Sequence, residues 1–326
     1  MLTFELIQQA AARIAGRVHR TPVVTSHAFN EAAGAEVFFK CENLQRAGAF
    51  KARGATNKIL SLSEAEKSRG VIAVSSGNHA QAVSLAAREA GTRAVICLPD
   101  DAPKMKIAAT RGYGADIRFF NRHRDDRDAF GREIAERENL VMVPAYDDYL
   151  IMAGQGTSGL ELLEDVPDLD CVMTPCSGGG LFSGVSTAAK SIKPSIKCFA
   201  VEPDTANDTQ QSVAQGERVK IPPPPTIADG LRVQIPGELT FPITSANADA
   251  VLTVTDEEIR ATIRFMLFRM KMLVEPSGAA AAAAVLHRKI PGSVKRIGVV
   301  LSGGNMDPDV LASILEEKTD VATNAV

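Results

Sequence analysis

From Gly70 onward the chain alternates short apolar runs with longer stretches of helical periodicity. Val71 to Val74, Ala94 to Leu98, Asp116 to Phe120 and Leu140 to Val143 are the runs. Helical stretches follow after Ser75-Ser76-Gly77-Asn78-His79 through Ala90, from Pro103, and over 121–139. A run that is apolar at nearly every position suits a strand buried on both faces, as in a parallel sheet covered by helices. The same rhythm returns at Cys171 to Thr174, Ile196 to Val201 and Arg296 to Leu301. Ahead of it, 3–17 has helical spacing, Ala35 to Cys41 reads as a strand, and Gly54 to Leu62 as a helix. Ser63 and Glu66 form a capping box. Gly154-Gln155-Gly156-Thr157-Ser158 reads as the opening of a helix to Glu164. Thr255 caps a helix through Met272, and Ala279 to His287 is an alanine-rich helix. Pro222 to Pro225 is a stiff surface connector, and the last ten or so residues are polar and frayed. The pattern predicts an α/β fold, with 70–147 as one compact lobe.

Composition narrows the class. At 326 residues, two lobes are the better expectation. The 36 basic and 39 acidic residues are interspersed and leave a net charge of −3; tryptophan is absent and there are three tyrosines. This gives neither a basic face nor a stacking platform for nucleic acid. Cys41, Cys97, Cys171, Cys176 and Cys198 have no framework spacing, which suits free thiols in a reducing compartment. The N-terminus is amphipathic and not a signal peptide. No apolar run approaches the roughly 20 residues that span a bilayer. The expected setting is cytoplasmic, away from membranes.

Candidate chemistry centres on Lys51, which follows Gly48-Ala49-Phe50 and precedes Ala52. Apolar neighbours desolvate an amine, lower its pKa and free it as a nucleophile. Three glycine- or serine-rich turns follow apolar runs, where open parallel sheets place ligands. In Ser177-Gly178-Gly179-Gly180, successive N–H groups can converge on a phosphate at a helix start. It lacks the spacing of a Walker loop or of G-x-G-x-x-G. Ser75-Ser76-Gly77-Asn78-His79 offers hydroxyls and N–H groups to a substrate carboxylate, and Ser302 stands at the end of the last run. An activated lysine, a phosphate cup, a carboxylate cup and a strand-end hydroxyl are what a pyridoxal phosphate enzyme needs.

On these motifs, with Glu42-Asn43-Leu44-Gln45-Arg46 and Leu301-Ser302-Gly303-Gly304-Asn305, the sequence resembles the fold-type II pyridoxal phosphate enzymes of the serine/threonine dehydratase and serine racemase family. The likeness runs to about residue 315. It implies a two-lobed, tryptophan-synthase-β-like fold with the cofactor in the interlobe cleft. Residues 1–69 with 148–326 would form the large cofactor-binding domain, and 70–147 the small domain that closes on substrate. It also implies that Lys51 is the Schiff-base lysine, that Phe50 flanks the ring, and that Asn78 contacts the phenolic oxygen. Ser177, Gly178, Gly179 and Gly180 would bind phosphate, and Ser302 the pyridine nitrogen. Ser75, Ser76, Gly77, Asn78 and His79 would receive the substrate carboxylate, with Ser76 as opposite-face base. Ser177 and Ala49 depart from the family's usual glycine and serine. Glu202, the Ala206 carbonyl and Asp208 resemble that family's divalent-cation site for Mg²⁺ or Ca²⁺, with Mn²⁺ also admissible; oxygen ligands suit such ions. A homodimer is implied as well.

The implied reaction is β-elimination from a β-hydroxy amino acid to a 2-oxo acid and ammonia. Residues 207–212, 112–115 with Asn121-Arg122, and 48–51 look most similar to the 3-hydroxyaspartate ammonia-lyase branch, with L-threonine and L-serine as competitors. Its second carboxylate needs a cationic partner, for which Arg53, Arg122 and Arg232 are candidates. A serine or aspartate racemase with dehydratase side activity is the alternative. A silent amino-acid-binding protein and a β-replacement enzyme are the rivals from other classes.

Overall fold

The computed structural model describes residues 1–102, 104–121 and 124–316. Among these, the strands are β1 (Val23–Val24), β2 (Glu36–Lys40), β3 (Val71–Val74), β4 (Ala94–Pro99), β5 (Asp116–Phe120), β6 (Val141–Met142), β7 (Cys171–Pro175), β8 (Lys197–Pro203), β9 (Ala250–Val254) and β10 (Arg296–Val300). They form a six-stranded sheet, in order β1-β2-β10-β7-β8-β9, and a four-stranded sheet, in order β5-β4-β3-β6. Every pairing is parallel except β1 with β2. The fold is therefore α/β with parallel-rich sheets, as the apolar runs predict.

Two-sided burial explains the central runs, while the edge strand β5 is buried only at Phe120. In β7, Cys171 and Met173 join the core under the helices Asp256–Phe265 and Pro276–Leu286, while Val172 joins the core on the opposite face with Phe182 and Val185. In β3, Val71 and Ala73 face one core, and Ile72 and Val74 the other. The helix Pro276–Leu286 is buried from Pro276 to Val285, so alanines let its backbone lie close to the sheet.

Local signals hold at several ends. Capping boxes form at Ser63 with Glu66 and at Thr255 with Glu258. Elsewhere the structure corrects the expectation. Among the described residues of the charged stretch 121–139, the helix covers Arg127–Arg137, because Asp126 accepts from Ala129 N and starts it there. The helix from Thr255 stops at Phe265, widens into a π turn over Met266–Met270 and ends at left-handed Lys271. Short elements escape a periodicity reading: β1, β9, and the helices His27–Ala33, Asp208–Gln215, Thr240–Asn247 and Pro308–Glu316. Pro103, Arg122 and residues 317–326 lie outside the described residues.

The largest correction concerns Gly154 and Gly156. They do not open a helix; they sit inside Tyr149–Asp165, whose N-cap Asp148 accepts from Leu150 N and Ile151 N. Glycine there permits close crossings. A Cβ on Gly154 would lie 2.6 Å from Gly54 Cα, in the helix Lys51–Leu60. One on Gly156 would lie 2.8 Å from the Gly184 carbonyl, in the helix Gly180–Ile192. One helix thus docks, backbone to backbone, the helix that carries Lys51 and the helix that follows the glycine loop. Gly184→Ala forces these helices apart and should cost about 1–3 kcal/mol by urea denaturation; an unchanged midpoint would show that the crossing yields freely.

Candidate active site

Both sheets reverse their strand order, and ligands of open parallel sheets bind where that happens. In the larger sheet the reversal lies between β10 and β7, so residues 177–180 after β7 and 302–304 after β10 face one crevice. In the smaller sheet it lies between β3 and β6, at 75–77 and 143–146. Side-chain and backbone contacts tie these four segments together.

Lys51 opens the helix Lys51–Leu60, and its Nζ donates to the Ala145 carbonyl at 2.6 Å. Desolvation lowers its pKa to about 8, with a further push from the charge of Arg127. A substantial neutral fraction at physiological pH is what a nucleophilic amine needs. The amine lies 5.0 Å from the centre of the Phe50 ring. Phe50 N donates to the Ser302 carbonyl at 3.0 Å, and Ala49 bridges to Gly303, which brings the end of β10 against this turn.

The loop 177–180 is a cradle that side chains would fill. A Cβ on Gly178 would sit 2.5 Å from the Tyr146 ring, and one on Gly180 would sit 2.9 Å from Tyr146 Cβ. Gly179 has φ +91° and no room against Thr240. None of the N–H groups from Ser177 to Gly180 finds an acceptor among the described residues. They gather at the start of the 13-residue helix Gly180–Ile192, where the macrodipole favours an anion. Amine and cradle together fit an aldehyde that bears a phosphate.

Across the cleft, Gly77 precedes the helix Asn78–Glu89. The N–H groups of Ser76, Asn78 and His79 have no acceptor among the described residues. Asn78 Nδ2 donates to Glu275 Oε1 at 2.7 Å, and its Oδ1 accepts from Asn305 Nδ2 at 2.8 Å. His79 is buried, and its Nε2 lies 2.9 Å from the Val143 carbonyl. A carbonyl can only accept, so Nε2 carries the proton and Nδ1, unpartnered, is an acceptor. Burial, then the nearby Lys51, lowers its pKa to about 3. The ring is neutral and presents a lone pair, so only the backbone N–H of His79 suits a carboxylate. The Ser302 hydroxyl, nearly buried, makes no hydrogen bond among the described residues.

The acidic loop adjoins the cradle. Glu202 accepts from Thr209 N at 3.2 Å and Gln210 N at 2.9 Å, and Thr209 Oγ1 donates to the Ser177 carbonyl at 3.4 Å. Both Asp208 carboxylate oxygens are buried without a partner among the described residues. Burial pushes Asp208 up to about 7; burial and then the Asp208 charge push Glu202 up to about 8. Among the described residues no three His, Cys, Asp or Glu side chains are grouped to hold a metal, so Glu202 and Asp208 contribute two carboxylates.

Two arginines read as substrate partners have structural tasks. Arg53 is fully buried, paired with Glu42 at 2.8 Å and Glu161 at 2.7 Å, and Lys40 joins Glu161 at 2.6 Å. Arg232 donates to the Thr226 carbonyl, and Arg122 lies outside the described residues. Among the described residues, Arg127 is a cation whose charge reaches the cleft. Its Nη2 donates to the Val74 carbonyl at 2.7 Å, and its charge bears on Lys51, His79 and Tyr146. Its position at a helix start in a charge-rich stretch offers no sequence cue; a lysine pKa acted on from a distant segment is visible only in three dimensions.

This fold and cleft define a pyridoxal phosphate enzyme of the parallel-sheet, two-sheet kind. The chain matches the family described as pyridoxal-phosphate dependent enzyme over residues 14–303, and it belongs to that family. It is 46% identical over 321 residues to an L-threo-3-hydroxyaspartate ammonia-lyase of Saccharomyces cerevisiae, covering 98% of each chain. It is 45% identical to a serine racemase of Schizosaccharomyces pombe, covering 97% of this chain and 98% of the relative. The solved structure of maize serine racemase superposes with a TM-score of 0.92 at 41% identity, covering 96% of this chain and 97% of that one.

The amine's environment sets a pH expectation. Attachment of pyridoxal phosphate to the apoprotein, followed by visible absorbance, should accelerate as Lys51 deprotonates, with a midpoint near pH 8. Arg127→Gln removes a positive neighbour, eases protonation and moves the midpoint upward. A wild-type midpoint at the ordinary lysine value of 10.5 would contradict the desolvation argument.

Proposed function

We propose that the protein eliminates water from a β-hydroxy amino acid, 3-hydroxyaspartate foremost, and that a water molecule then hydrolyses the resulting imine to give oxaloacetate and ammonia. The observation that carries this reading is the set of a desolvated Lys51 amine, a glycine cradle with free N–H groups and a cationic Arg127 around one cleft. Lys51 would hold pyridoxal phosphate covalently, with its phosphate on Ser177, Gly178, Gly179 and Gly180, Phe50 beside the ring, Asn78 at the phenolic oxygen and Ser302 at the pyridine nitrogen. When bound, that group supplies an electron sink for charge developing at the substrate Cα.

The chain's own groups do the rest. N–H groups and hydroxyls at Ser75, Ser76, Gly77, Asn78 and His79 take the α-carboxylate. The Lys51 amine, with a pKa of about 8, takes the Cα proton and holds it. Ser76 stands as the base of the opposite face, the basis for racemisation as a second activity. Arg127 pairs with the second carboxylate of hydroxyaspartate. The 46% identity to a hydroxyaspartate ammonia-lyase supports the elimination, and the 45% identity to a serine racemase supports the second activity. On the same reading, 70–147 closes on the remainder of the chain, 1–69 and 148–326. Separate sheet cores support two lobes, with Ala55 and Ile59 of the Lys51 helix, Leu62 and Ile151 joining the core of the smaller sheet. A cytoplasmic homodimer completes it. The five buried, unpaired cysteines and the exposed Leu44, Phe268 and Leu273 support the setting and the assembly.

Release of ammonia and 2-oxo acid from 3-hydroxyaspartate stereoisomers, L-threonine, L-serine and D-serine tests the reaction. Lys51→Ala should lose colour and turnover together. Arg127→Gln should lower kcat/KM for hydroxyaspartate by about 10- to 100-fold, the range of one charged hydrogen bond, and leave L-serine far less affected. Equal losses on both substrates would remove Arg127 from substrate recognition, and no ammonia from any of them would refute elimination.

We also propose that Glu202, the Ala206 carbonyl and Asp208 bind Mg²⁺, Ca²⁺ or Mn²⁺, since the buried Asp208 oxygens find no donor among the described residues and so call for a cation. Millimolar Mg²⁺ should raise the Tm. Asp208→Asn should abolish that response without lowering the metal-free Tm, because it removes a repelling buried charge. A wild-type Tm indifferent to all three ions would dismiss the site.

A further inference from the structure

We propose that Asp147 is a positioning residue for phosphate recognition, acting through residues 238–240 and the Thr240 hydroxyl on the Gly178 carbonyl. The inference rests on the assignment of residues 177–180 to phosphate made above. The Asp147 carboxylate accepts from three consecutive backbone N–H groups, Glu238 at 3.0 Å, Leu239 at 2.8 Å and Thr240 at 3.2 Å. An ionised carboxylate has enough lone pairs for all three, whereas an amide side chain brings one acceptor oxygen and no charge. Thr240, fixed in this way, donates its hydroxyl to the Gly178 carbonyl at 2.6 Å. Its side chain also fills the space that a Cβ on Gly179 would need. Gly237, just before this segment, is bare for the same reason: a Cβ there would run into the Asp147 carboxylate and the Thr240 hydroxyl.

The chain position of Asp147 matters as much as its bonds. It follows Tyr146, whose ring lies against Gly178, and it is two residues past Ala145, whose carbonyl holds the Lys51 amine. Residues 145–147 therefore touch the covalent anchor and the phosphate anchor at once. Asp147 spends its charge on the N–H groups of 238–240, so it orders the cradle without placing an anion in it.

The test compares two ligands on the apoprotein, pyridoxal phosphate and pyridoxal, which lacks the phosphate. Affinity is read by absorbance titration. Asp147→Ala should weaken pyridoxal phosphate by about tenfold, the scale of one lost hydrogen bond, and leave pyridoxal unchanged. Thr240→Val, which keeps shape and removes only the donor to Gly178, should show the same selective loss, and it decides the matter if the Asp147 variant does not fold. Equal weakening of both ligands, or no change for pyridoxal phosphate, overturns the role of Asp147. Wild-type protein that binds both ligands equally well overturns the loop assignment itself, and the inference with it.

Discussion

The structure depends on three helices that cross at their glycines. Tyr149–Asp165 meets Lys51–Leu60 through Gly154 and Gly54, and it meets Gly180–Ile192 through Gly156 and Gly184. Contacts this close leave no slack, so the start of each outer helix is placed with respect to the other. One start carries the amine and the other carries the anion cradle. A chemistry that needs a covalent bond and a phosphate grip on the same small molecule requires that separation to be set by backbone, since side chains would yield.

Beneath the Lys51 turn lies a second constraint of a different kind. Arg53, Glu42, Glu161 and Lys40 form a buried network, extended by Thr21 and Gln45 onto Glu42. Burial disfavours the Arg53 charge, but Glu42 and Glu161 more than offset it and hold the pKa above its ordinary value. Ion pairs of this sort add little net stability, while losing one partner is expensive because it strands the other. The network ties β2, the turn at 42–44, the Lys51 helix and the central helix into one arrangement. Charge at the site itself is handled in the opposite way. The Lys51 amine, the Asp208 carboxylate and the His79 ring lack full compensation, and their pKa values move towards the neutral forms. Compensated charge builds the frame, and uncompensated charge marks the places where ligands belong.

Much of this was legible in the chain. Short β-branched and aliphatic runs bounded by turns signalled strands of a covered parallel sheet, and the turns after them fell at strand ends, where such a sheet opens. Capping boxes at Ser63 and Thr255 signalled their helices because the cap is a local bond. The elements that escaped were short, such as β1, β9 and Thr240–Asn247, which have too few residues for a period to show. Gly154 and Gly156 misled for a clear reason: glycine marks turns and close packing alike, and only the neighbour across the gap tells them apart.

By itself, the sequence determined the strand and helix rhythm, the glycine-rich turns and the lysine among apolar neighbours, since all of these arise from interactions a few residues apart. Tertiary structure decided which charges face one another. It buried Arg53 against Glu42, brought the charge of Arg127 to bear on the Lys51 amine, left Asp208 without a donor among the described residues and turned the His79 lone pair inward. Those outcomes depend on desolvation and on partners 11 to 76 residues away, and the linear order of residues holds no measure of either.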